Sequence, residues 1–374
     1  MLTSVKHYGK NSNKFFGVNM PRKRWVSFIL LFMISFKPKQ ITKKLLSVLP
    51  DRARDVLERR YGLGKEVDAY TLEAIGQTYG ITRERVRQIE NYGIQSIQKS
   101  DLYKETVNLL NEIHQAIESL GGGLVAEQHL LDALAVDQVT RNHIYFLLVL
   151  GEPFYRNKED ESFTHRWYTD KKVSESVENA LKAIYESIEH DELISEDEVL
   201  KRFREKLADL ADKSNEDILR RWLSISKQIA PNPLGEWGHA TSPNVRVKGI
   251  RDYAYLVVKR HGSPMHFREV ATAIQDLFNR KAHTATTHNE LIKDERFVLV
   301  GRGLYALTEW GYSAGVVKDV LRDILEKHGP LSREEIIDKV RKERYVKDNT
   351  IIVNLQDANI FKKLSNGTYM LLAD

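Results

Sequence analysis

The stretch "TLEAIGQTYGITRERVRQIEN", Thr71 to Asn91, decides how this chain is read. Leu72, Ile75, Gly76 and Tyr79 recur at helical spacing and predict a helix over 71–80. Gly80 then suits a tight turn, because a positive φ costs glycine little. Ile81 plugs the corner. Thr82 is a good N-cap, and Glu84 suits the positive end of a helix, so a second helix is expected over 82–98. Its inward stripe is Val86, Ile89, Gly93 and Ile97. Arg83, Glu84, Arg87, Gln88 and Asn91 fall at i, i+1, i+4, i+5 and i+8, forming one outward face with Arg85 beside it. Such a pair is a helix-turn-helix, whose second helix can enter a major groove. Arginine can fork onto guanine, glutamine can pair with adenine, and glutamate can accept from cytosine. Periodicity alone leaves another reading open, a solvated helix laced by i,i+4 pairs.

Working outward, 374 residues suggest two to four domains. A hydrophobic content of 42% and a charged content of 29% fit a soluble, folded, mostly helical protein. The absence of cysteine excludes disulfides, cysteine-ligated zinc, iron–sulfur clusters and thiol nucleophiles. The net charge of +5 is unevenly spread. Residues 1–50 hold ten Lys/Arg and no Asp or Glu; residues 106–245 hold 15 against 25; residues 246–312 hold 11 against 7. Whole-chain charge is therefore a weak argument for nucleic acid, and local charge has to carry it. The apolar run of "RWVSFILLFMISF", Arg24 to Phe36, is shorter than the ~20 residues a spanning helix needs. No small-residue cleavage site follows it. Residues 1–40 are read as an N-terminal extension, unstructured or mis-started with Met33 as the start; a membrane-surface or nucleic-acid arm is the other reading.

"TLEAIGQTYGITRERVRQIE" resembles region four of the sigma-70 family of bacterial promoter-recognition factors, and "LLSVLPDRARDVLERRYGLG", Leu45 to Gly64, resembles the first half of that region. The likeness covers Ile41 to Lys99. It implies a four-helix module that reads the −35 promoter element and docks on the β flap of core RNA polymerase. By matching position, Arg83, Glu84 and Gln88 would reach bases, while Arg85 and Arg87 would lie nearer phosphates. Two departures stand out. "NYGIQSIQKS" after the glutamate has only Lys99 as a cation, and nothing resembles the family's −10-reading and core-binding regions. The chain is not expected to melt a promoter as a stand-alone sigma factor.

The remaining three-quarters is repetitive. "LISEDEVLKRF", "PMHFREVATAI" and "PLSREEIIDKV" each place an apolar residue (Ile194, Met265, Leu331) before a capping-type residue and an amphipathic helix. "LVAEQHLLDAL" fits more loosely through Val125 and Leu130. Ile229, Gly235 and Trp237 recur as Phe297, Gly303 and Tyr305, then as Phe361, Gly367 and Tyr369, and read as strands around a glycine turn. A longer hairpin without glycine is expected near "FYRNKEDESFTHRWY". Helices followed by a β-hairpin make a winged helix. "GSPMHFREVATAI" and "GRGLYALTEWGY" resemble the HARE-HTH winged-helix family, which includes the N-terminal domain of the polymerase delta subunit. That implies a non-catalytic module for DNA or polymerase. In this copy Arg251, Lys259, Arg260, Arg268, Arg280, Lys281, Lys293 and Arg302 could neutralise phosphates, with Arg302 at the wing tip; the two acidic copies are expected to contact protein.

His283 and His288 in "HTATTH" are five apart without an intervening glutamate, unlike a zinc-protease pair, and "GRG" and "GGG" lack a phosphate-loop lysine. The expectation is thus a mainly α protein: a sigma-region-4-like helix-turn-helix followed by winged-helix repeats with small β-hairpin wings. Boundaries fall at 41–105, 106–172, 173–245, 246–312 and 313–374. The expected DNA-binding residues are Thr82, Arg83, Glu84, Arg85, Arg87, Gln88, Asn91 and Arg302. No catalytic residue, metal or cofactor is expected. Partners would be double-stranded DNA and the β flap of RNA polymerase core, not a membrane, in a cytoplasmic, nucleoid-associated setting. The rival is a polymerase-bound accessory or scaffold.

Overall fold

A computed structural model describes residues 34–372, apart from 213, 313–315 and 345. Met33 and everything before it, including most of the expected extension, lie outside the described residues. The chain is mainly α-helical with small antiparallel hairpins and sheets. Its contacts gather into two compact units, one of residues up to Asp160 plus Thr164–Glu175, the other of Glu161–Phe163 plus the chain from Ser176 onward.

The first unit runs α1 (Pro38–Leu46), α2 (Asp51–Tyr61), α3 (Leu72–Tyr79), α4 (Arg83–Gln98), α5 (Asp101–Gly121), β1 (Leu124–Ala126), α6 (Glu127–Leu134), α7 (Gln138–Leu150), β2 (Tyr155–Asn157) and β3 (Arg166–Tyr168). Helix starts follow side-chain caps: Thr71, Thr82, Ser100 and Asp137 accept the amides of Ala74, Arg85, Tyr103 and Thr140. α1 begins three residues before the boundary expected at 41, and Ile34 and Phe36 pack against the core ahead of it. That core is continuous. Leu45, Leu49 and Leu57 join Ile97 of α4, Ile113 and Ile117 of α5, Phe146 of α7 and Trp167 of β3. The helix-turn-helix segment and the segment after it thus bury their apolar faces against each other.

The second unit contains α8 (Lys171–Ser187), most of which belongs to it, then α9 (Glu196–Leu207), α10 (Asp209–Asp212), α11 (Glu216–Leu223), β4 (Ile229–Pro231) and β5 (Trp237–His239). It continues with α12 (Ile250–His261), β6 (Met265–His266), α13 (Phe267–Phe278), α14 (Thr284–Lys293), β7 (Phe297–Gly301) and β8 (Leu304–Leu307). The last part is α15 (Val317–His328), α16 (Arg333–Glu343), α17 (Asp348–Leu355), β9 (Phe361–Lys363) and β10 (Tyr369–Leu371).

One arrangement recurs in both units. The residue before the N-cap of an amphipathic helix pairs antiparallel with the second strand of the following hairpin: Val125 with Trp167, Ile194 with Trp237, Met265 with Tyr305, and Leu331 with Tyr369. These partners include the residues matched from the repeats. The three glycines matched at the hairpin turns all have positive φ, 85° at Gly235, 70° at Gly303 and 87° at Gly367. The first hairpin instead spans a longer connection between β2 and β3. Trp167, Trp237 and Tyr305 are buried as core plugs.

Candidate nucleic-acid interface

α2, α3 and α4 meet at Val56, Ile75 and Val86, all fully buried. Gly80 turns the chain with φ 64°, and the Ile81 amide donates to the Gly76 carbonyl at 3.0 Å. Gly76 is required by proximity: a Cβ there would stand 2.6 Å from the Ile81 carbonyl oxygen, which is backbone. Alanine would improve helix propensity by ~1 kcal/mol, but overpacking costs ~1–3 kcal/mol. Gly76→Ala is therefore expected not to raise the urea midpoint, and a clear increase would show that the turn has room to give.

The inward row of α4 differs from the expected one. Ile89 is half-buried, and Glu90 is buried beside Val86, Gly93 and Ile97. Glu90 accepts from the Tyr61 hydroxyl at 2.8 Å and pairs with Arg60 at 3.4 Å. Burial, then the Glu90 charge and hydrogen bond, push the Tyr61 hydroxyl far above its usual range. Val86, Glu90, Gly93 and Ile97 do follow helical spacing, so the signal was present, masked by the residue's charge.

The opposite face is open. Thr82, Arg83, Glu84, Arg85, Arg87, Gln88 and Asn91 are all exposed. Thr82 Oγ1 is engaged as the cap. Arg87 forks onto Glu84 through Nη2 at 2.7 Å and Nε at 2.9 Å, and this hydrogen bonding holds the Glu84 carboxyl below its ordinary range. Arg85 Nη1 donates to Gln88 Oε1 at 2.9 Å. Arg83 and Asn91 make no side-chain hydrogen bond or ion pair among the described residues. The face therefore holds two internally paired couples and two uncommitted side chains, with more cations than anions. Asp55 ties α2 to α3: it accepts from Tyr79 of α3 and from Arg59 of α2 at 2.7 Å, while Arg52 of α2 lies over the Tyr79 ring at 5.3 Å.

Arg302 belongs to the other unit. It is exposed on the turn between β7 and β8, beside Gly303. Of the other cations expected to meet phosphate there, Arg251, Arg260, Arg268, Lys281 and Lys293 are exposed. Lys259 is half-buried and already paired: it reaches the Tyr255 hydroxyl, one turn back on α12, at 3.0 Å and Glu309, on the turn that follows β8, at 3.5 Å. Arg280 is exposed but reaches the Lys248 carbonyl at 3.3 Å and lies over Tyr253. His288 stacks on Phe267 at 4.3 Å. Among the described residues no group of three His, Cys, Asp or Glu could hold a metal ion, and no helix is long and apolar enough to cross a membrane.

Residues 45–99 match the family model for sigma-70, region 4. The chain is 42% identical over 66 residues to RNA polymerase sigma factor SigA1 of Synechococcus elongatus, covering 17% of this chain and 16% of that one. It is 54% identical over 48 residues to RNA polymerase sigma factor SigA of Nostoc sp., covering 13% and 12%. It is 43% identical over 51 residues to RNA polymerase sigma factor RpoD of Neisseria gonorrhoeae, covering 14% and 8%. The chain spans less than a fifth of the length of these relatives. The likeness is a distant link to the sigma-70 superfamily; the family match takes in the end of α1 and all of α2, α3 and α4.

Proposed function

We propose that this chain is a non-catalytic, sequence-specific DNA-binding transcription factor acting with RNA polymerase, in which α4 reads promoter −35-like duplex. One observation carries the reading: Arg83, Glu84, Arg87, Gln88 and Asn91 stand exposed on one side of a helix whose other side is buried at Val86, Gly93 and Ile97. The region-4 match at residues 45–99 supports the same assignment. On this reading the strand–helix–hairpin units are winged helices, the third of them of HARE-HTH type with Arg302 at its wing tip. The β flap of core polymerase is the protein partner.

The test is selection of duplexes from a random library with the purified full chain. Enrichment of one short motif is expected; equal recovery of all sequences would remove base reading. Glu84→Ala probes the paired cations. It deletes an anion and releases Arg87, so the dependence of log affinity on log salt for random duplex should steepen by roughly 0.9 for the one phosphate gained. An unchanged slope in fluorescence anisotropy would leave Arg87 without a phosphate contact.

A second reading, a polymerase-bound accessory or scaffold of delta-subunit type, is favoured by the acidic excess over residues 106–245, 25 Asp/Glu against 15 Lys/Arg. Such a surface repels phosphate and suits basic protein faces. Polymerase that co-purifies with the chain while no duplex is selected would favour it.

A further inference from the structure

A cleft of about 530 Å³ opens within the first unit, between α2, α7 and the β2–β3 hairpin. That volume is in the range of small-ligand sites. Its walls include the half-buried rings of Tyr61 and Tyr145, whose centroids are 6.1 Å apart. Trp167 backs them, edge-on to Tyr145 at 5.9 Å. Three cations join these rings, Arg60, Arg156 and Lys158, and no Asp or Glu is among the described lining residues.

Two carboxylates pair with these lining side chains. Glu127 accepts from Arg156 Nε at 2.6 Å, Arg156 Nη2 at 3.0 Å and the Trp167 indole at 2.9 Å. Glu90 is held by Tyr61 and Arg60. The Arg156 guanidinium lies over Tyr145 at 5.4 Å, and the Tyr145 hydroxyl makes no hydrogen bond among the described residues. Lys158 is exposed, and its ammonium likewise has no partner among them. A neutral apolar ligand would leave that surplus charge unanswered, and a cation would be repelled. Flat aromatic and guanidinium surfaces with an uncommitted ammonium match a planar group carrying an anion.

We propose that this cleft binds a nucleotide, with the base against Tyr145 and Arg156 and a phosphate on Lys158. Bases stack on aromatic and guanidinium faces with little sequence preference, and phosphate gains a charge-assisted contact from lysine. Two sources share this chemistry: a free mononucleotide, or an unpaired nucleotide of a nearby strand. The second has a path to the cleft, because Arg60 also lines a groove with Thr71, Leu72, Glu73 and Arg83, at the starts of α3 and α4.

Isothermal titration of the full chain with ATP, GTP and a five-residue deoxyadenylate strand tests this. Binding of at least one probe is expected, weakened about tenfold by Lys158→Glu, as for loss of one charged contact. Tyr145→Leu should weaken it too, with its circular dichroism checked against the parent chain. The same binding should survive Lys104→Glu, the same charge reversal at an exposed lysine of this unit that lines neither the cleft nor the groove. A mononucleotide signal identifies a free ligand; a signal from the strand alone identifies an unpaired nucleotide. The proposal is overturned if none of the probes binds, if Lys158→Glu leaves the affinity unchanged, or if Lys104→Glu lowers it as much as Lys158→Glu does.

Discussion

Arg296→Met is expected to destabilise the second unit by ~3–5 kcal/mol, the range for stripping the partner from buried charges. Arg296 Nη2 reaches Asp252 at 2.9 Å and Asp294 at 2.6 Å, and both carboxylate side chains are only 8% exposed. Nη1 reaches Asn244 at 3.3 Å, and the guanidinium lies over Tyr255 at 5.0 Å. Asp252 also caps α12, accepting the Lys248 and Gly249 amides at 3.1 Å each. Methionine keeps much of the bulk but leaves two carboxylates with no cation. Burial alone would raise the Asp294 carboxyl; the Arg296 bonds outweigh it, and the group sits below its ordinary value of 3.8. A depressed acid adds stability above its unfolded pKa and loses it as pH falls through the folded one. The parent chain should therefore weaken below about pH 4. In the variant the Asp294 carboxyl is expected to rise, so acid relieves the defect and the two proteins converge. Urea unfolding of the full chain at pH 7 and pH 4 reads both effects. A midpoint at pH 7 equal to the parent's would show that water replaces the guanidinium at no cost.

The double substitution Arg83→Ala with Gln88→Ala should reduce affinity for the selected duplex by on the order of 10²- to 10⁴-fold, because each bidentate base contact contributes ~1–3 kcal/mol of discrimination. Both side chains are exposed and neither supports the core. Stability should stay within ~0.5 kcal/mol of the parent. Gln88 is held by Arg85 in the free protein, so some of the loss reflects that couple rearranging. Affinity for random duplex should fall far less. Equal losses on selected and random duplex would reduce α4 to a phosphate contact. Unchanged binding to both would move the DNA surface elsewhere. Polymerase co-purification that survives while duplex selection is lost would separate the two partners.

Much of the fold was legible because its signals are local. Thr71 and Thr82 cap helices where the sequence places them, and Gly80 turns with positive φ. The repeats were legible because pairings such as Ile194 with Trp237 and Leu331 with Tyr369 reuse residues at matched offsets. The outward face of α4 followed from the same periodicity, since every residue expected to be exposed there is exposed. Errors arose where a charge is neutralised by a distant partner. Nothing near Glu90 in sequence announces Tyr61 and Arg60, and nothing near Lys259 announces Glu309, fifty residues on.

The sequence by itself determined the helix starts, the turns and the spacing of apolar rows, because φ, capping and amphipathic period are set within a few residues. Tertiary structure alone decided which of those rows share a core. α1 to α4 bury Leu45, Leu57 and Ile97 together with α5, α7 and Trp167, a grouping no local pattern encodes, since apolar faces pair by shape and not by sequence distance. It also decided which charges remain free to meet a ligand, because that depends on what folds against each one: Arg83 and Lys158 have no partner among the described residues, while Arg296 and Glu90 are consumed inside.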